Sequence, residues 1–65
     1  MIHFVFYKTN DVFRAEEVLT AHNIGVEIVP TPVQDKAYCG VCVRVKSSMV
    51  DVANTVLSGM EYKQV

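Results

Sequence analysis

Val26-Glu27-Ile28-Val29-Pro30-Thr31-Pro32, followed after a gap by Cys39-Gly40-Val41-Cys42-Val43-Arg44-Val45-Lys46, is the stretch that decides the fold. In its second half Val41, Val43 and Val45 alternate with Cys42, Arg44 and Lys46, the period of a strand with one buried and one polar face over 41–46. In its first half a β-branched run reads as a strand over 26–29, stopped by Pro30-Thr31-Pro32. Both prolines lack an N–H and bias the preceding residue towards extended backbone, so residues 30–40 read as an irregular connection. That connection is longer than the about two to five residues of an ordinary hairpin, and loops of this kind often carry function. Two strands therefore succeed one another with no helix between them.

Upstream, Ile2 to Tyr7 is a β-branched and aromatic run with Ile2, Phe4 and Phe6 on one face and His3, Val5 and Tyr7 on the other, a strand over 2–7. Thr9-Asn10-Asp11 offers N-cap side chains, and Val12, Ala15, Val18, Leu19 and His22 have helical spacing, which predicts a helix over 11–22. Asn23 and Gly25 tolerate positive φ and terminate it. Downstream, Ser48-Met49-Val50-Asp51 resembles a capping box with Asp in place of Glu. It opens a helix over 49–59 with Val50, Ala53, Val56, Leu57 and Met60 as its apolar stripe and Gly59 at its end. Residues 61–65 fit either a short fourth strand or a loose chain end.

The order β-α-β-β-α(-β) is that of an α+β, ferredoxin-like split sandwich, an antiparallel sheet with two helices on one face, in one small domain spanning 1–65. A right-handed crossover makes the first two strands parallel with the third antiparallel between them. This places the loop carrying Cys39 at the end of the sheet where the first helix begins.

The chain has 65 residues, 51% of them hydrophobic, and a formal net charge of −1. That composition suits a compact globule folding without metal or cofactor, and the charge offers no attraction to nucleic acid. No apolar run approaches the roughly 20 residues that span a bilayer, and Met1-Ile2-His3-Phe4 opens without a basic segment and cleavage site, so no membrane partner and a cytoplasmic location are expected. There the two cysteines rest as thiols. The scattered carboxylates and isolated glycines present neither a catalytic triad nor a phosphate loop, which argues against a conventional enzyme. Tyr7, Tyr38 and Tyr62 read as ordinary core and surface aromatics.

Pro30-Thr31-Pro32, Cys39-Gly40 and Val41-Cys42-Val43-Arg44, together with Arg14-Ala15-Glu16 and the Gly25 turn, resemble a family of small domains described as selenium/sulfur carrier-like. The resemblance spans about residues 2 to 60. It implies that Cys39 holds sulfur or selenium as a persulfide or selenopersulfide, with donor and acceptor proteins as partners. Cys39 and Arg44 match the family pattern. That pattern usually has an Arg after the second proline and small hydroxyl residues before the cysteine, where this chain has Val33, Lys36 and Ala37.

The residues themselves support a thiol site. Cys39 lies in a polar loop beside Gly40, whose backbone admits a ligand closely, with Lys36 and Arg44 as candidate positive neighbours and Cys42 as a further supporting residue. Otherwise a lone cysteine serves as a small apolar residue.

Two other readings use the same residues. Cys39-Gly40-Val41-Cys42 is a literal C-x-x-C, but in extended backbone three steps of ~3.3 Å separate the Cα atoms by about 10 Å, beyond the roughly 7 Å that a disulfide spans. The two cysteines with His3 and His22 lack the paired spacing of a zinc site, so no metal is expected. The alternative function is a non-catalytic interaction or regulatory module. Val5, Tyr7, Val29 and Cys42 would make the helix-free sheet face partly apolar and suited to a homodimer.

Overall fold

Phe4 and Phe6 on the first strand and Val43 and Val45 on the third supply the sheet's half of the core. The computed structural model describes residues 1–33 and 35–65. Its elements are β1 (Ile2–Phe6), α1 (Thr9–Ala21), β2 (Glu27–Pro30), β3 (Val41–Val45), a 3-10 turn at Ser47–Met49, α2 (Val50–Val56) and β4 (Tyr62–Gln64). The strands lie in the order β2-β3-β1-β4 with every neighbouring pair antiparallel. β1 and β2 are thus parallel with β3 between them, the expected ferredoxin-like arrangement. Val12, Ala15 and Leu19 of α1, Ala53 of α2 and Leu57 just beyond it close over the same sheet face.

Several boundaries differ from the sequence reading, each for a local reason. β1 ends at Phe6 and leaves only two residues for the turn, so α1 starts at Thr9 with the extended Lys8 as N-cap and no side-chain cap hydrogen bond. Thr9 and Asn10 are helical residues rather than caps. At the other end Asn23, at φ 60°, takes the left-handed position usually given to glycine. Its N–H donates to the Thr20 carbonyl at 3.0 Å, and that of Ile24 to the Leu19 carbonyl at 3.0 Å. This is a Schellman closure, completed by the buried Ile24 and Leu19. His22 Nδ1 adds a bond of 2.9 Å to the Val18 carbonyl. Gly25 is not needed at positive φ.

Ser48 does not cap α2. It sits in the 3-10 turn, and Met49 is the N-cap without a side-chain bond, so the α-helix proper is shorter than expected. Gly59, at φ 95°, turns the chain after it.

Pro30 is a strand residue rather than a stop. Thr31 N–H donates to the Gly40 carbonyl at 3.0 Å, so by alternation the absent N–H of Pro30 falls on the open edge of the sheet, where no ladder bond is lost.

Residues 61–65 are tied down. His3 and Val65 exchange two backbone bonds of 2.9 and 2.8 Å beyond β4. The Tyr62 ring meets Phe4 edge to face at 5.2 Å, its hydroxyl donates to Asn54 Oδ1 at 2.6 Å, and Asn54 Nδ2 donates to Gln64 Oε1 at 3.1 Å. Tyr62→Phe keeps the ring and strands the Asn54 oxygen, an expected loss of about 1 kcal/mol. Urea denaturation measures it, and an unchanged midpoint would show that the ring alone docks β4.

Of the four residues expected to make the helix-free face partly apolar, Tyr7 is 49% exposed but the two central ones are not. Val5 and Cys42 are 0% exposed. They sit in the register row Val29, Cys42, Val5, Lys63, beside the row Glu27, Arg44, His3.

Candidate functional site

The loop after β2 is closed at its base by one residue. Besides the backbone bond from Thr31 to Gly40, Thr31 Oγ1 donates to the Cys39 carbonyl at 2.8 Å. Within the loop, Asp35 builds a turn: its Oδ1 accepts from Ala37 N–H at 2.9 Å and its carbonyl from Tyr38 N–H at 3.1 Å. Cys39 N–H then donates to the Phe6 carbonyl at 2.9 Å, docking the cysteine on the end of β1. Beside that bond the Tyr7 and Tyr38 rings stack, with centroids 4.9 Å apart and an interplanar angle of 23°. The neighbouring Tyr38 phenol raises the Tyr7 phenol above its ordinary 10.0.

The Cys39 side chain is half-buried against the core, and its Sγ–H donates to the Val41 carbonyl at 3.0 Å. The loop borders a shallow, open pocket of about 330 Å³ whose lining includes Thr31, Asp35, Lys36, Tyr38, Cys39 and Gly40. The resting thiol thus spends its proton on a main-chain oxygen. A sulfur atom that reacts from this position must first turn away from that oxygen, because a thiolate there would face another electron-rich atom.

Of the residues singled out from sequence, Cys39, Gly40 and Lys36 meet in this pocket. Gly40 has no left-handed φ, and a Cβ added to it would meet nothing within 4 Å, so neither conformation nor crowding inside the chain requires glycine. Arg44 is not among the pocket's lining residues. It lies at the far end of β3 with Nη2 donating to Glu27 Oε2 at 2.9 Å across to β2.

Cys42 differs from Cys39 in burial and in the oxygen its thiol faces. Its Sγ lies 3.9 Å from the Pro30 carbonyl oxygen, while Cys39 faces the core on the helix side. Both cysteines are free thiols. Burial raises the Cys42 pKa above the ordinary 9.0, against a smaller lowering by the Thr31 hydroxyl. The unfolded chain therefore ionises this thiol at lower pH than the folded one, so its contribution is complete below about pH 9 and is lost as pH rises towards the folded value. Thermal melting is expected to fall between pH 9 and 10 less steeply in Cys42→Ala than in the wild type. Parallel slopes would show that Cys42 does not titrate on unfolding.

Sequence reasoning passed over Thr31, Tyr7 and Tyr38. The only available signal was adjacency, Tyr38 to Cys39 and Tyr7 to the end of β1, and partners across a sheet cannot be read from spacing. Among the described residues no group of three His, Cys, Asp or Glu is placed to hold a metal ion, and no helix is long and apolar enough to cross a membrane.

No curated protein and no solved structure matches the chain. A loop thiol docked on β1 in a split α+β sheet is accompanied by a family match over residues 2–65, essentially the whole sequence, and the chain belongs to the family described as "Putative Se/S carrier protein-like".

Proposed function

We propose that the protein carries sulfur or selenium on Cys39 as a persulfide or selenopersulfide. The observation that carries this reading is the contrast between the two thiols: Cys39 lines a pocket open to a ligand, whereas Cys42 is fully buried. In the loading step the Cys39 thiolate attacks the terminal sulfur of a donor persulfide R–S–SH. A new S–S bond forms on Cys39, the donor S–S bond breaks, and R–S⁻ leaves with its electron pair. An acceptor thiolate reverses the step at Cys39, so no external oxidant or reductant is consumed.

Lys36 offsets the negative charge in the pocket, and Gly40 leaves room for the donor to approach. Arg44, through Glu27, and Cys42, beneath the loop base, hold β2 against β3 and so fix the span that the loop must close. Donor and acceptor proteins are the partners this reading requires.

Mass spectrometry after incubation with glutathione persulfide tests it. One added sulfur atom mapped to Cys39, and absent in Cys39→Ser, is expected. Unmodified Cys39 in a protein that elutes as a stable dimer would instead favour the non-catalytic interaction module.

A further inference from the structure

The loop from Thr31 to Gly40 reaches β1 through two adjacent interactions. Among the described residues one hydrogen bond joins them, Cys39 N–H to the Phe6 carbonyl at 2.9 Å. The next residues outward, Tyr7 and Tyr38, are joined by the ring stack at 4.9 Å. The reactive residue is thus flanked on its N-terminal side by an aromatic clamp whose other half follows β1 directly. Tyr7 is 49% exposed, so burial alone does not account for its position, and the stack is the interaction that holds the pair. The thiol behind this clamp is turned to the Val41 carbonyl at 3.0 Å.

We infer that the Tyr7–Tyr38 stack is a latch that sets the conformation of the Cys39 end of the loop: closed, it keeps the thiol on the Val41 carbonyl, and open, it frees the loop end and turns the sulfur towards a partner. The inference rests on the carrier reading for its purpose, since regulated exposure serves a thiol that hands its cargo to another protein. The latch itself is a property of the loop and is measurable without any cargo. Parting the rings removes the outer of the two ties to β1, and the remaining hydrogen bond then exchanges with water at the chain surface. Stacked aromatic pairs of this kind shift an open-closed equilibrium by about two- to tenfold.

The test is the rate of Cys39 alkylation by iodoacetamide in the wild type, Tyr38→Ala, Tyr7→Ala, Tyr38→Phe and Tyr7→Phe, each read with Cys42 alkylation in the same sample. Both alanine variants are expected to raise the Cys39 rate about two- to tenfold with Cys42 unchanged, and both phenylalanine variants, which keep the ring, to stay near the wild type. Hydrogen exchange of the Cys39 amide should accelerate in the same variants by the same factor, a second reading that needs no thiol chemistry. Unchanged Cys39 rates in both alanine variants would overturn the latch. So would Phe variants as fast as Ala, or Cys42 rates rising in parallel, which would mean global rather than local opening. Failure of wild-type Cys39 to take up sulfur from glutathione persulfide, with these rates as expected, would remove the carrier reading and leave the latch standing.

Discussion

Val43→Asp is expected to abolish the folded state. Val43 is 0% exposed at the centre of the sheet, paired with Phe4 on one side and Ile28 on the other, and faces the residues of α1 and α2 that close the core. Among the described residues the core holds no buried polar or charged side chain to meet a carboxylate there, and burying it costs several kcal/mol even after its pKa adjusts. A domain of this size has only about 5 kcal/mol of stability to lose. Circular dichroism at 25 °C should therefore show an unfolded chain without a cooperative melt. A melting curve close to that of the wild type would mean that the faces of β3 are assigned the wrong way round.

The second large effect is the difference in reactivity between the two thiols. Cys42 is 0% exposed, beneath the helix-free face at the centre of the sheet. Reaction at Cys42 requires opening of the structure, and for a global opening ~5 kcal/mol of stability suppresses its rate by roughly three to four decades relative to an exposed thiol. Cys39 is only half-buried at the pocket wall and needs no more than a movement of its own loop. Native-state alkylation followed by peptide mapping should find Cys39 modified first by a factor on the order of 10³, with the two rates converging in denaturant. Equal rates under native conditions would remove the distinction on which the carrier proposal stands. In the same samples, mild oxidant is expected to leave both thiols free, because Cys39 faces the core on the helix side and Cys42 points towards Pro30.

Both predictions start from patterns visible in the sequence and end on tertiary facts. The alternation of Val41, Val43 and Val45 and the helical spacing of Val12, Ala15 and Leu19 are sufficient to find β3 and α1, since burial on one face imposes a period that needs no partner to be recognised. The order of elements agrees with the split topology, in which β3 lies between β1 and β2, and that topology puts the Cys39 loop at the end of the sheet where α1 starts. The caps were less legible. Thr9 and Ser48 have the right chemistry for N-caps, yet the length of the preceding turn decides where each helix starts, and that length depends on where β1 and β3 stop pairing.

What the sequence by itself determined is therefore the first three strands and both helices, their order, and the position of one cysteine in a long loop at a known end of the sheet, while β4 needed its partners on β1 and α2 to be recognised. Only the tertiary structure decided which residues surround that cysteine. Arg44 follows Cys39 closely in the chain but is carried along β3 to Glu27, whereas Phe6, Tyr7 and Thr31, all distant in sequence, are brought to it. Likewise Cys42, placed by alternation on the helix-free face, is 0% exposed, which its spacing alone does not reveal. The physical reason is common to both cases: periodicity reports which face of an element is buried, while cross-strand register and loop closure choose the partners, and neither is encoded in local spacing.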